Sequence, residues 1–188
     1  MGEWKKVSLF VVLCIVAISM RLTLIPSGEL YGYDSYYHYS VLQQSLENGR
    51  ISNDNTLDLC YQGVTGGHPE GFYLVPYLLS FVFGLKIAFL LSPILYFLSG
   101  LYFFFLLTRK LFSEKVAWIS CYLAAVSFIP LSRSMAGTYR GDNIVLPFLF
   151  ATLYFMITFL QDNSKRMVIA AASISAFSTL FWNGSIVV

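Results

Sequence analysis

The chain has 188 residues, of which 57% are hydrophobic and only 12% are charged. Soluble domains carry about 25% charged residues, so a soluble domain of this length could not cover so much apolar surface. The formal net charge of +2 is too small to indicate a nucleic-acid partner. The composition therefore indicates an all-α, polytopic transmembrane helix bundle embedded in a lipid bilayer.

Five apolar segments are predicted to cross the membrane. Their approximate bounds are 7–25, 86–108, 116–131, 144–160 and 167–188. Lys5 and Lys6 precede the first span and predict a cytoplasmic N-terminus. A single span between residues 71 and 108 places the basic loop 109–115 in the cytoplasm as well. Residues 71–83 are short and contain Pro76, so we interpret them as an interfacial or re-entrant helix.

This topology leaves two segments on the external face, a long loop at about 26–83 and a short loop at about 132–143. Tyrosines and leucines recur at helical spacing from Ser35 in the long loop, which predicts a membrane-parallel helix. Asp34 lies at the expected N-cap and Gly49 at the expected left-handed C-terminal position. His38 lies one turn beyond Asp34 and could contact the same site, but a lone histidine among tyrosines is more often an interfacial residue, which is the interpretation we favour.

Asp34 also has a functional interpretation, because a carboxylate near the bilayer boundary needs a partner or an ion. The short loop offers Arg133, Arg140 and Asp142 as candidate partners. The alternative is a solvated connector with its own Arg–Asp pair, and spacing alone does not decide between them. One carboxylate per loop is a weak metal signature, since divalent cations prefer more oxygen ligands.

Four short motifs, in order along the chain, resemble those of the catalytic subunit of oligosaccharyltransferase, in its archaeal and bacterial single-subunit branch. They are YGYDSYYHY at 31–39, HPEG at 68–71, RSMAG at 133–137 followed by Asp142, and FWNG at 181–184. From local sequence alone, HPEG has a simpler role as the start of a helix. The resemblance covers the whole chain and implies the architecture of the polyprenyl-phosphate-dependent glycosyltransferases.

The resemblance implies transfer of an oligosaccharide from a dolichol-type phosphate carrier to the asparagine of an Asn-x-Ser/Thr sequon in an acceptor polypeptide. It also implies the catalytic residues. Asp34 would bind a divalent metal, Mn²⁺ or Mg²⁺, and contact the acceptor amide. Asp142 would be a second metal ligand, and Arg133 would organise the site.

The chain departs from the family pattern in two respects. The second motif commonly has two metal-binding residues separated by one, and Arg140 occupies the first of these positions. Arginine cannot ligate a metal. The family's later spans and its soluble C-terminal domain, which carries a Trp-Trp-Asp-Tyr-Gly motif, are not among these 188 residues. We therefore expect this part to be inactive without its missing C-terminal half.

Two other functions stay open at this point. One is a different polyprenyl-phosphate-sugar glycosyltransferase, which would use a lipid or mannose acceptor. The RSMAG motif before Asp142 argues against it. The other is a non-catalytic membrane subunit, for which replacement of Asp34 would alter assembly and leave the chemistry unchanged.

Overall fold

The structure is a computed structural model that describes residues 3–23, 29–51 and 68–181. Within these ranges the regular structure is helical and contains no β-strand, which confirms the predicted all-α class. In chain order the helices are α1 (Glu3–Arg21), α2 (Tyr33–Glu47), α3 (Gly71–Phe83), α4 (Leu85–Leu111), α5 (Glu114–Val126), α6 (Phe128–Ser134), α7 (Gly141–Asp162) and α8 (Lys165–Ser178).

Two of the described helices, α4 and α7, are long and apolar enough to cross a membrane. They contain the predicted spans 86–108 and 144–160. If the bent pair α5 and α6 forms one span, it is a third candidate for crossing the membrane. Helix α1 covers most of the predicted span 7–25, and α8 covers the first part of 167–188. Residues 24–25 and 182–188, and with them most of the FWNG motif, lie outside the described ranges.

The predicted span 116–131 is broken at Ser127, where α5 and α6 meet at an angle of 58°. Ser127 has an extended backbone, with φ −67° and ψ 142°. Pro130 explains the break. In a continuous helix the ring of Pro130 would clash with the carbonyl group four residues earlier. In the first turn of α6 this clash does not arise, and a backbone N–H at that position would have no intrahelical acceptor in any case.

The described residues of the long loop form two helices, α2 and α3, as its sequence predicts. The N-cap of α2 is Gly32, so the prediction that Asp34 caps this helix is wrong, and Asp34 lies in the first turn. An acidic side chain there is favourable because it faces the positive end of the helix dipole. Gly49 has φ +67° beyond the end of α2, which confirms the predicted left-handed position.

Helix α4 is the centre of the bundle and packs against α3, α5 and α7, while α8 packs against α7. One core cluster joins α2, α3, α4 and the short loop through aromatic side chains that include Phe72, Phe89 and Tyr139. A second cluster joins α1, α4 and α5 around Leu13, Phe105 and other buried residues. The first cluster supports the long and short loops and therefore positions the candidate site.

Gly71, the last residue of the HPEG motif, allows the start of α3 to lie against the backbone of Leu180, which follows α8. A Cβ atom at this position would meet the carbonyl oxygen of Leu180 and lie 2.9 Å from its carbonyl carbon. These are backbone atoms, which cannot rotate away as a flexible side chain could. The motif's glycine therefore has a structural role in addition to any functional one.

We expect Gly71→Ala to destabilise the protein by about 1–3 kcal/mol, because the added methyl group overpacks this contact. The measurement is the apparent melting temperature in detergent. Gly100→Ala in α4 is the matched control, since its Cβ would have ordinary contacts of 3.5 Å or more. Equal melting temperatures for the two variants would contradict this role of Gly71.

Candidate functional site

The long and short loops are joined by hydrogen bonds on either side of the candidate residues. The Tyr31 backbone N–H donates to the Gly137 carbonyl at 3.0 Å, and the Tyr139 N–H donates to Ser35 Oγ at 2.9 Å. Gly137 has φ +82°, and a Cβ there would lie 3.1 Å from the Glu29 carbonyl oxygen. Glycine is therefore required for the RSMAG segment to lie this close to the long loop.

These contacts bring an arginine to each predicted carboxylate. Arg140 Nη2 lies 3.7 Å from Asp34 Oδ2, and Arg133 Nη1 lies 3.4 Å from Asp142 Oδ2. The partner of Asp34 thus comes from the short loop, and the short loop also has its own Arg–Asp pair, so both of the alternatives that spacing left open occur together. The four side chains are 44–58% exposed, so both pairs are weak and the carboxylates can exchange partners.

A cleft of about 250 Å³ opens between the loops at this point. Its lining contains one carboxylate and two guanidinium groups among otherwise small or hydroxylated residues. The lining residues are Tyr31, Gly32, Asp34, Ser35, Ser132, Arg133, Thr138 and Arg140. The excess of positive charge favours an anionic group in the cleft, while Asp34 provides a hydrogen-bond acceptor beside it.

An apolar cavity of about 450 Å³ adjoins the cleft on the side of the membrane bundle. It lies between α4, the α5–α6 pair and α7. Arg133 lines both spaces, and Asp142 lines the apolar one. The Arg133–Asp142 pair therefore lies at the boundary between a polar surface cleft and an apolar cavity.

The described residues supply only part of a divalent-metal site. Asp34 and Asp142 have the carboxylate oxygens that Mg²⁺ and Mn²⁺ prefer. However, the described ranges contain no group of three or more His, Cys, Asp or Glu side chains placed to hold a metal. Each of the two carboxylates has an arginine neighbour instead. Any metal held by these two aspartates therefore needs further ligands besides the acidic, histidine and cysteine side chains of the described ranges.

His38 is buried among aromatic side chains of α3 and the short loop and is not exposed at a surface. It is 5% exposed, and its Nδ1 is hydrogen-bonded to the Tyr73 hydroxyl at 2.8 Å. The ring of His68, from the HPEG motif, lies 4.9 Å from that of His38 between centroids. Burial, and secondly His68, lower the pKa of His38 to about 3. His38 is therefore neutral under ordinary conditions and connects α2 to α3.

We expect the protein to lose stability on acidification because of His38. Its pKa falls from 6.5 in the unfolded chain to about 3 in the folded one, so the unfolded state binds more protons between these values. Above its pKa of 6.5 in the unfolded chain, neutral His38 makes its full contribution to the free energy of unfolding. As the pH falls below that value, the contribution decreases by up to about 1.4 kcal/mol per pH unit.

The measurement is the apparent melting temperature in detergent from about pH 7 to about pH 4. The melting temperature of His38→Gln should fall less steeply than that of the parent protein, whatever its absolute value. Parallel curves for the two proteins would show that His38 does not cause the acid sensitivity.

Arg21 is a buried charge that the sequence analysis missed. It is fully buried at the end of α1, although it lies inside the predicted span 7–25. Its Nε donates to Ser134 Oγ at 2.7 Å, and its Nη1 donates to the Ala17 and Ala125 carbonyls at 3.0 and 2.9 Å. The available signal was an arginine near one end of an otherwise apolar segment, where such residues usually have specific partners.

Residues 6–188 match the family model described as Oligosaccharyl transferase STT3, N-terminal. Two similar curated proteins are named dolichyl-phosphooligosaccharide-protein glycotransferase 2. The one from Pyrococcus horikoshii is 29% identical over 196 residues, covering 95% of this chain and 25% of the relative. The one from Pyrococcus furiosus is 29% identical over 184 residues, covering 89% and 24%.

A third relative, dolichyl-phosphooligosaccharide-protein glycotransferase 1 from Pyrococcus horikoshii, is 29% identical over 162 residues, covering 81% of this chain and 16% of the relative. The chain thus spans a quarter or less of the length of these curated relatives. Together with its apolar helices, the family match shows that this is a membrane protein.

Proposed function

Because the chain belongs to the oligosaccharyl transferase STT3 family, matching its N-terminal model, we propose that it is the N-terminal part of an oligosaccharyltransferase catalytic subunit. The enzyme transfers an oligosaccharide from a dolichol-type phosphate carrier to the asparagine of an Asn-x-Ser/Thr sequon. The observation that carries the proposal is the pairing of both motif aspartates with arginines where the external loops meet.

The chemistry explains why carboxylates are needed. An amide nitrogen is a poor nucleophile because its electron pair is delocalised. Asp34 accepts hydrogen bonds from the acceptor amide and takes its proton as the new bond forms. That bond joins the amide nitrogen to the anomeric carbon of the glycan. The bond from this carbon to the carrier phosphate breaks, and the phosphate oxygen keeps the electron pair. Cationic groups beside the cleft stabilise the negative charge on that leaving group.

Asp34 and Asp142 are proposed to supply two ligands to a divalent metal, Mn²⁺ or Mg²⁺, with Arg133 organising the site. Arg140 occupies the position of a further ligand and cannot bind a metal, so other oxygen ligands or water would complete the coordination. Such a metal would hold the carboxylates together and stabilise negative charge that develops during transfer. The exposure of both aspartates supports this assignment, since each carboxylate can leave its arginine at little cost.

We place the site on the external face of a multi-pass protein in the cell membrane, with the N-terminus in the cytoplasm. The basic residues support this orientation. Lys5, Lys6, the 109–115 loop and the Lys165–Arg166 connector all fall on the cytoplasmic side. The two cleft loops then lie on the opposite side, where the lipid-linked donor reaches them from the bilayer and the acceptor polypeptide from the aqueous phase.

The reading frame that follows the Val188 codon at the source locus tests the assignment against its alternatives. The proposal expects further apolar spans and a soluble domain with a Trp-Trp-Asp-Tyr-Gly motif. Further spans without that motif would favour a glycosyltransferase with a lipid or mannose acceptor. An immediate stop codon would favour a non-catalytic membrane subunit.

A further inference from the structure

The break between α5 and α6 leaves polar backbone groups that need partners. A helix that ends leaves its last carbonyl groups without intrahelical donors. In a continuous helix the Ala125 carbonyl would accept from the backbone N–H of residue 129. Here it accepts from Arg21 Nη1 at 2.9 Å instead. The guanidinium group of Arg21 thus provides the hydrogen bond that the Ala125 carbonyl loses at the break.

Arg21 also makes hydrogen bonds at the C-terminal end of α6 and just beyond it. Its Nε donates to Ser134 Oγ at 2.7 Å, and its backbone carbonyl accepts from the Ala136 N–H at 2.9 Å. Ser134 directly follows Arg133 in the chain. One residue of α1 therefore fixes the end of α5, the end of α6 and the start of the RSMAG loop.

The environment of Arg21 keeps its side chain in this geometry. Its Cζ lies 3.4 Å from the centroid of the Phe97 ring, in a cation–π contact. The hydrogen-bond acceptors of its side chain, on Ala17, Ala125 and Ser134, are uncharged, and its Nη2 has no partner among the described residues. A buried guanidinium group with uncharged partners is costly. Its planar set of donors is suited to holding several acceptors at fixed angles, which a lysine cannot do.

We propose that Arg21 is a positioning residue for transfer, and that it acts by holding α6 so that Arg133 reaches Asp142. This inference rests on the proposed function. Arg21 is fully buried and is not among the residues that line the cleft, so it acts only through Arg133. Displacement of a catalytic group by about 1 Å can lower a rate by about 100-fold, so loss of this support has a measurable effect on transfer.

The test is a double-mutant cycle in the enzyme that carries this chain at its N-terminus. The variants are Arg21→Lys, Arg133→Gln and their combination, with transfer to a sequon peptide as the readout. Arg21→Lys keeps the charge and loses the planar set of donors. We expect it to lower kcat about tenfold, with an unchanged KM for the peptide. Arg109→Lys is the matched control, since Arg109 also lies near a phenylalanine ring, 5.6 Å from that of Phe105, but at the other end of α4.

The combination decides between positioning and general support of the fold. If Arg21 acts through Arg133, Arg21→Lys causes no further loss of kcat in the Arg133→Gln background. Independent losses that multiply would overturn the proposal and leave a structural role only. If Arg21→Lys does not accumulate in the membrane, Ser134→Ala takes its place in the same cycle, because it removes the acceptor of Arg21 Nε.

Failures of the two proposals can be told apart. A parent enzyme that transfers no glycan to the peptide overturns the proposed function, and the role of Arg21 with it. An active parent whose rate is unaffected by Arg133→Gln keeps the proposed function and overturns the positioning role alone.

Discussion

Replacing Asp34 by asparagine is expected to lower the rate of glycan transfer by about 100-fold or more, the scale on which removal of a catalytic acid–base group acts. Asparagine keeps the size of the side chain and removes its charge. It cannot take a proton from the acceptor amide, and it weakens both the pair with Arg140 and any metal site. The measurement is kcat for a sequon peptide in the full-length enzyme.

The matched control for Asp34→Asn is Glu47→Gln, which makes the same charge change at the other end of α2. Glu47 accepts a hydrogen bond from Gln43 at 3.3 Å on an exposed surface. Its replacement should leave kcat within about twofold, as exposed pairs of this kind contribute little. If Asp34→Asn changes the assembly of the protein in the membrane and leaves the transfer rate intact, the chain is a non-catalytic subunit instead.

The second large effect on the transfer rate is expected for replacement of Asp142. Asp162, at the other end of the same helix, is the matched control. Asp142 in the first turn pairs with Arg133 at 3.4 Å, and Asp162 in the last turn pairs with Lys110 at 3.1 Å. Both pairs are partly exposed and join α7 to another helix. They differ in position, because only Asp142 lies beside the cleft and the apolar cavity.

We therefore expect Asp142→Asn to lower kcat by about 100-fold and Asp162→Asn by less than about twofold. Asp142→Asn should also raise the Mn²⁺ concentration needed for half-maximal activity, because it removes a proposed ligand. Equal activity of the two variants would show that the ion pair at Asp142 is structural, like the one at Asp162.

The sequence predicted the features of the fold that depend on local composition. The apolar segments of α4 and α7 are long and continuous, so their lengths alone indicate the spans. Residues 71–83 form a separate helix that ends at Gly84, as their short length suggested. The break at Ser127 was not predicted, because residues on both sides of it are equally apolar. Pro130 was the available signal, but a proline can also be accommodated within a helix, as Pro93 is in α4.

The candidate site was predictable in its residues and only partly in its geometry. The motifs singled out Asp34, Arg133 and Asp142 as candidates, and the short loop offered possible partners for Asp34, but spacing did not decide between these and a pair within the short loop. Which arginine pairs with which aspartate depends on how the loops dock, which spacing does not determine. The role of Arg21 was missed because its partners are backbone carbonyls and a serine, which have no recognisable pattern along the chain.

The most direct test of the central claim is transfer of glycan by the purified full-length enzyme to a peptide containing Asn-x-Thr, followed by mass spectrometry. A crude lipid extract from the source organism serves as the donor, and a peptide with glutamine in place of the asparagine is the control. The account predicts a glycan attached to the asparagine side chain of the first peptide and none on the second. Transfer from the same donor to a lipid or sugar acceptor, with both peptides unmodified, would contradict it.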